Sequence, residues 1–403
     1  MSAEGLVFSW SALGGWHVDI SIGMGKAGRR GFGFDDISIV PSRRTRDPDD
    51  VSLSWELDGY RFELPMLGSA MDSAVSPATA VAIGRLGGLG VLNLEGLWTR
   101  YEDPGPVFEE IAALPADRAT ARLQQLYRAP IDPDLMRQRI SDIRSEGVVV
   151  AAALTPQSVE RYIDGVVEAG LDVLVIQGTV VSAEHVSSRD DPLDLSAFIA
   201  ALDLPVIVGG CASYAGAIHL MRTGAAGILV GVGPGAACTT RRVLGMGVPQ
   251  ATAIADAAGA RIRYLAEAGR YVHVIADGGM STGGDIAKAI ACGADAVMIG
   301  SPLASAVGAP GQGAHWGMAT FHPSVPRGTR VMTGPLGTLE QILVGPAREN
   351  DGRQNLFGAL RLAMASTGYA DLREFHEAEL VVAPSIRTEG KALQRSQRVG
   401  MGS

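Results

Sequence analysis

Two stretches of this 403-residue chain hold residue types that can act on a small molecule. The first is GVGPGAACTTRRVLGMGVPQ, residues 231–250, a glycine-rich run presenting one cysteine, two threonines and two arginines. The thiolate is the reactive form of cysteine and cationic neighbours favour it, so Cys238 beside Thr239, Thr240 and Arg241 is the candidate nucleophile. Gly233 and Gly235 allow backbone conformations closed to other residues, and carbonyls turned inward by such a loop can hold a monovalent cation. The second stretch is split between IADGGM at 275–280 and MIGSPL at 298–303. Unhindered backbone N–H groups at Gly278, Gly279, Gly300 and Ser301 are what a phosphate needs, and Asp277 beside them is an acceptor suited to a ribose diol. Cys211 and Cys292 read instead as packing residues, one after an apolar run and one in an Ala-rich helix.

Residues this far apart need a scaffold that makes them converge. From Pro65 onward the chain repeats one unit, a short apolar run ending in Gly or a small polar residue followed by an Ala-rich amphipathic stretch. The runs fall at 65–71, 88–94, 148–154, 172–178, 205–210, 227–233, 272–279 and 296–303. They are apolar without alternation, as strands buried on both faces require. The count and the βα rhythm predict a closed (β/α)8 TIM barrel of the α/β class, with an open doubly wound sheet as the alternative. In a barrel the ends of the runs meet at one mouth, and both chemical stretches lie there. Before the barrel, Asp58-Gly59 between VSLSWEL and YRFEL predicts a β-hairpin that plugs the bottom. Residues 95–147 read as an extended helical crossover, and the long loop after the last strand, rich in Gly and Pro, reads as functional or disordered. NLFGALRLAMASTG predicts a closing helix, and the last dozen residues read as frayed. The resulting organisation is an N-terminal extension over 1–32, a single catalytic barrel over 33–380 and a tail over 381–403.

Composition narrows the function classes. Hydrophobic residues make up 47% and charged residues 19%, which excludes disorder, collagen and coiled coil. With 34 Lys and Arg against 43 Asp and Glu, the net charge of −9 is mixed in sign along the chain, against general nucleic-acid binding. Arg29, Arg30, Arg43 and Arg44 read as a solvated surface or a subunit contact. No apolar run is long enough to span a bilayer, so no membrane is expected. Three scattered cysteines form neither a disulfide frame nor a zinc site, and a cytoplasmic setting is expected.

GPGAACTTR, GMGVPQATA, IADGGMSTGGDIAKAIACGADAVMIGS and GSAMDS resemble, in order and spacing, the motifs of the IMP dehydrogenase and GMP reductase superfamily, and GALRLAMASTGYADLREF is similar to its C-terminal helix. The resemblance runs from Gly33 to Leu380 and implies the same barrel, a homotetramer or an octamer, and a purine nucleoside monophosphate as substrate. It implies that Cys238 attacks C2 of the base with Thr240 assisting, that Asp277 holds the ribose, and that Gly279, Gly300 and Ser301 bind the phosphate. Gly317 and Met318 match the segment that meets the hypoxanthine edge, and Ser69 and Met71 match the first-strand contacts. The carbonyls of Gly233, Gly235 and Cys238 resemble the family's potassium loop. NADP or NAD is the implied cofactor, beside Gln177 and Gly178 at the fourth strand.

Within the superfamily the chain resembles the short bacterial IMP-dehydrogenase-related proteins, because the crossover is too short for a cystathionine-synthase-type domain pair. The dehydrogenase branch hydrolyses its covalent intermediate with an Arg-Tyr pair on a flap, and FHPSVPRGTRV contains none. Arg161-Tyr162, Arg263-Tyr264 and Arg270-Tyr271 fall in predicted helices or just ahead of a strand. The favoured expectation is therefore a GMP reductase, converting GMP and NADPH to IMP and ammonia. The alternatives are an IMP dehydrogenase, a catalytically weak guanine-nucleotide regulator, and a flavin-binding barrel. Three departures bear on the choice: Arg327 near the position of the reductase's amine-assisting glutamate, Gln177 for the usual fourth-strand Asp, and Ala236 for a loop serine.

Overall fold

The computed structural model describes residues 6–10, 16–187, 192–317, 329–384, 386 and 388–400. Its first strands are antiparallel: β1 (Leu6–Trp10), β2 (Trp16–Gly23) and β3 (Lys26–Arg29) form a three-stranded sheet in the extension. β4 (Ile37–Ile39) pairs instead with β17 (Leu380–Val382), so main-chain pairing crosses the boundary expected at residue 380. The predicted hairpin is β5 (Trp55–Leu57) and β6 (Tyr60–Phe62), turned at Asp58 and Gly59 with φ of 43° and 91°. A tight two-residue turn needs φ above zero at both positions, which Asp-Gly tolerates. Trp55 stacks on Phe62 and meets the edge of His273, the first residue of a barrel strand, so the hairpin does cover the barrel's bottom.

Eight parallel strands then close the barrel: β7 (Met66–Gly68), β8 (Leu89–Asn93), β9 (Ala151–Leu154), β10 (Val173–Gln177), β11 (Val206–Cys211), β12 (Gly227–Val230), β13 (His273–Asp277) and β14 (Ala296–Ile299). Each lies within a predicted run except for Cys211, which extends β11 by one residue. Most are shorter than their runs, because residues such as Val232 stay buried after the chain has turned out of the ladder into the mouth. Val208, Leu229, Ile275 and Val297 are fully buried, each such side chain contributing about 1.5–3 kcal/mol.

The helices form the outer ring and the additions to it. α1 (Pro77–Arg85) follows β7, and the crossover from β8 to β9 carries α2 (Gly105–Ala113), α3 (Ala116–Leu126) and α4 (Pro133–Arg144). α5 (Val159–Glu168), α6 (Leu195–Ala200) and α7 (Tyr214–Arg222) follow in order. The short α8 (Thr240–Leu244) and long α9 (Gln250–Ala268) separate β12 from β13, and α10 (Gly283–Ala291) follows β13. α10 starts immediately after the IADGGM turn because Thr282 and Asp285 form a reciprocal capping box, with Thr282 Oγ1 accepting from Asp285 N at 3.2 Å and Asp285 Oδ2 accepting from Thr282 N at 3.0 Å.

After β14 come α11 (Ser301–Ala304) and a two-stranded ribbon, β15 (Ala314–Trp316) with β16 (Arg330–Met332), inside the segment expected to be irregular. α12 (Leu339–Leu343), the predicted closing helix α13 (Leu356–Ser366), α14 (Leu372–Phe375) and α15 (Ala392–Gln397) complete the chain. α15 falls in the tail expected to be frayed, where ALQRSQ is rich in helix formers. The extension docks on α9: Arg29 makes a two-pronged pair with Asp256 at 2.6 and 3.2 Å, and Phe32 N donates to Thr252 Oγ1 at 2.7 Å. Among the described residues no helix is long and apolar enough to cross a membrane.

Candidate active site

The strand ends bring the cysteine loop to the mouth of the barrel. Gly231 leaves β12 so close to β13 that a Cβ there would lie 2.2 Å from the Asp277 carbonyl, and only glycine permits that approach. Cys238 is the exposed cysteine, with Cys211 and Cys292 buried and their thiols pushed up to about 12 by desolvation. The Cys238 thiol donates to Thr240 Oγ1 at 3.3 Å, and its backbone N donates to the Gly235 carbonyl at 3.0 Å. This turn sets the sulfur beside a hydroxyl that can pass a proton.

Arg241 has a structural task that its type and position did not reveal. Its Nε donates to the Val232 carbonyl at 3.2 Å and its Nη2 to the Val248 carbonyl at 2.8 Å, so the side chain staples the two ends of the loop. Gln250, which sequence reasoning missed, is buried at the start of α9 and bridges strands, donating to the Val230 carbonyl at 2.8 Å and the Asp277 carbonyl at 3.1 Å. A polar residue opening an Ala-rich buried helix was the available signal.

Asp277 ends β13 in a half-buried position, and desolvation pushes its carboxyl up to about 7. Gln177, at the end of β10, donates from Nε2 to Asp277 Oδ2 at 3.2 Å and so favours the charged form. The residue expected beside the cofactor therefore touches the residue expected to hold the ribose. Gln177 Oε1 has no partner among the described residues. Gly178 has both main-chain groups committed to β11, donating to Gly209 at 2.9 Å and accepting from Gly210 at 3.1 Å. The Gly278 N–H donates to the Met298 carbonyl at 3.0 Å, so this residue shapes the turn while its donor stays inside the barrel.

The first strand, the eighth strand and the ribbon meet at Gly300. A Cβ there would lie 2.9 Å from Met71 Sδ, 3.4 Å from Ser69 Cβ and 3.5 Å from His315 Cε1. Ser301 follows as the first residue of α11. Gly317, directly after β15, lies against the cysteine loop: its Cβ would be 3.6 Å from the Ala237 carbonyl, one residue from Cys238. The structure thus brings Ser69, Met71, Gly300 and Ser301 together on one side, Cys238, Thr240 and Gly317 on another, and Asp277 with Gln177 between strands. Met318 and Arg327 lie outside the described residues. Among the described residues no group of three His, Cys, Asp or Glu forms a metal site.

The family model described as the IMP dehydrogenase / GMP reductase domain matches residues 31–322. The chain belongs to the IMP dehydrogenase/GMP reductase family. An uncharacterized oxidoreductase of Mycolicibacterium smegmatis is 51% identical over 90% of this chain and 99% of its own length. The inosine-5'-monophosphate dehydrogenase of Cryptosporidium parvum is 33% identical over 70% of each chain. A solved IMP dehydrogenase/GMP reductase-like protein from Corynebacterium glutamicum superposes with a TM-score of 0.85 at 46% identity, over 90% of this chain and 97% of that one. Membership makes the chain an oxidoreductase of this family, and the matched span takes in the hairpin, all eight barrel strands and Gly317.

Proposed function

We propose that the chain is a purine nucleotide oxidoreductase that works at C2 of the base through Cys238, in the GMP reductase direction. One observation carries this reading: the exposed Cys238 thiol, 3.3 Å from the Thr240 hydroxyl, sits on a loop whose Ala237 carbonyl lies against Gly317. Nucleophile, proton relay and base-binding strand share one small volume.

In this reading GMP sits with its phosphate at Gly279, Gly300 and Ser301, in the turn shaped by Gly278, and with its ribose diol donating to Asp277. The Cys238 thiolate adds to C2, and the amine leaves as ammonia with a proton delivered through the Thr240 hydroxyl. NADPH or NADH, when bound, supplies the hydride that reduces C2. The C–S bond then breaks, returning the thiolate and releasing IMP, so that GMP, reduced nicotinamide and two protons become IMP, oxidised nicotinamide and ammonium. Gln177 and Gly178 would face the cofactor, with Gln177 Oε1 open to a donor. The Gly233, Gly235 and Cys238 carbonyls would hold a potassium ion that stiffens the loop. Met318 completes the base contact, and Arg327 stands in for the amine-assisting glutamate. The same reading carries a cytoplasmic homotetramer.

The direction is supported by what surrounds the Arg-Tyr pairs. Arg161-Tyr162 is on α5, Arg263-Tyr264 on α9, and Tyr271 donates to Asp295 at the bottom of the barrel. None can activate water at Cys238.

Absorbance at 340 nm on purified protein tests the proposal, with GMP plus NADPH or NADH in one cuvette and IMP plus NADP or NAD in another, potassium present. Loss of absorbance with GMP, abolished by Cys238→Ala, is the expected result. A rise with IMP would assign the dehydrogenase direction, and silence in both with GMP still bound would assign the regulator.

A further inference from the structure

We propose that Tyr127 is a positioning residue for the nucleotide pocket, its hydroxyl setting the distance between the turn that carries Ser69 and Met71 and the strand that leads into Gly317. The inference rests on the purine-nucleotide reading of the site. Asp72 directly follows Met71 and is 2% exposed. Its Oδ2 accepts from Leu97 N at 3.1 Å and from the Tyr127 hydroxyl. The same hydroxyl accepts from Trp316 Nε1 at 2.9 Å, and Trp316 directly precedes Gly317. An indole N–H can only donate, so the phenol must accept from Trp316 and direct its single proton to Asp72. The polarity of the chain Trp316, Tyr127, Asp72 is thereby determined.

A second link runs parallel to it. Ser73 Oγ and His315 Nδ1 lie 3.0 Å apart, and burial holds the imidazole neutral by lowering its pKa to about 4. Two successive residues of the first-strand turn thus grip two successive residues of β15. Neighbouring side chains on a strand point to opposite faces, so β15 is held from both sides. The His315 face meets Gly300, whereas the Trp316 face enters a second hydrophobic core made by Leu97, Phe108, Ile111, Leu123 and Leu126. That core belongs to the crossover, and Arg330 on β16 is anchored to it by donating to the Ile111 carbonyl at 2.5 Å. Apolar packing alone would tolerate Phe at position 127. The hydroxyl is needed because Trp316 Nε1 and Asp72 Oδ2 meet only through it.

The test is calorimetric titration of the full-length protein with GMP and with IMP, alongside steady-state kinetics and melting curves. Tyr127→Phe keeps the ring and removes both hydrogen bonds of the hydroxyl, to Asp72 and from Trp316, and is expected to weaken nucleotide binding about tenfold. The loss should appear in KM for the nucleotide and leave kcat little changed. Trp316→Phe should give a similar loss, and the double variant should bind no worse than either single one, because both remove one link. A lower melting temperature for Tyr127→Phe with unchanged nucleotide affinity, or additive losses in the double variant, would overturn the proposal. If Tyr127→Phe does not fold, Trp316→Phe with unchanged affinity overturns it equally. Wild-type protein that binds neither nucleotide would remove the purine reading and this inference with it, whereas wild-type binding with normal affinity in the variants removes only the inference.

Discussion

Two aspartates at opposite ends of adjacent barrel strands are treated in opposite ways. Asp295, just before β14 at the bottom, accepts from Arg261 Nη1 at 2.6 Å, Val274 N at 2.8 Å and the Tyr271 hydroxyl at 2.5 Å. Arg261 is itself tied to the Gly293 carbonyl at 3.0 Å, and Arg261 and Arg373 lie over the Tyr271 ring at 5.1 and 4.8 Å. Asp277, ending β13 at the mouth, has one side-chain donor among the described residues, Gln177. A saturated carboxylate locks strands together. A carboxylate short of donors sacrifices stability and keeps acceptors for a ligand. The barrel therefore separates its tasks by end, bottom for stability and mouth for chemistry.

The largest effect that would sharpen this contrast is at Cys238. Cys238→Ala should reduce turnover to background, a loss on the order of 10³-fold or more, while an exposed truncation moves stability by only about 0.5 kcal/mol. Parallel assays of initial rate and melting would show the two readouts parting. The converse should hold at the bottom: Asp295→Asn leaves a buried guanidinium short of its partner and should cost about 3–5 kcal/mol in chemical denaturation. Equal stability in that variant would break the comparison.

Smaller effects follow at Asp277. Loss of a charged acceptor for the ribose diol should weaken GMP binding of Asp277→Asn by about tenfold or more, read by titration calorimetry. The same substitution should stabilise the ligand-free protein at alkaline pH. The folded pKa of Asp277 is raised to about 7 from 3.8, so the stability available with the carboxyl neutral is full below 3.8 and is lost as pH climbs through 7. The melting-temperature difference between Asp277→Asn and wild type should accordingly grow from pH 5 to pH 8. The smallest effect is expected of Arg241→Met, which removes the loop staple without touching Cys238 and should lower kcat by less than either mouth substitution, with the melting temperature falling by about 2–4 °C.

Much of this organisation is legible in the chain itself. Unbroken apolar runs at βα spacing mark all eight strands because burial on both faces leaves no place for alternation, and Asp-Gly marks the hairpin because both residues tolerate positive φ. The cysteine loop and the two glycine turns are local motifs whose residue types state their chemistry. Less was visible where a role depends on distant partners. The sheet β1–β3 and the ribbon β15–β16 carry weak local patterns and take their form from the strands they pair with. The family resemblance implies a place beside a cofactor for Gln177, yet its side chain reaches Asp277, 100 positions away in the chain.

The order of elements, the closed barrel and the placing of Cys238 on a glycine-rich loop at its mouth were thus determined by the sequence, since hydrophobic periodicity and turn chemistry act over a few residues. Only the tertiary structure decided that Arg241 staples its own loop, that Gln250 ties two strand ends, and that Tyr127 stands between Asp72 and Trp316. Those assignments depend on hydrogen bonds whose donors and acceptors are brought within 3.5 Å only after the barrel has closed. No periodicity encodes them, because side-chain direction at a mouth is set by the packing of all the strands together.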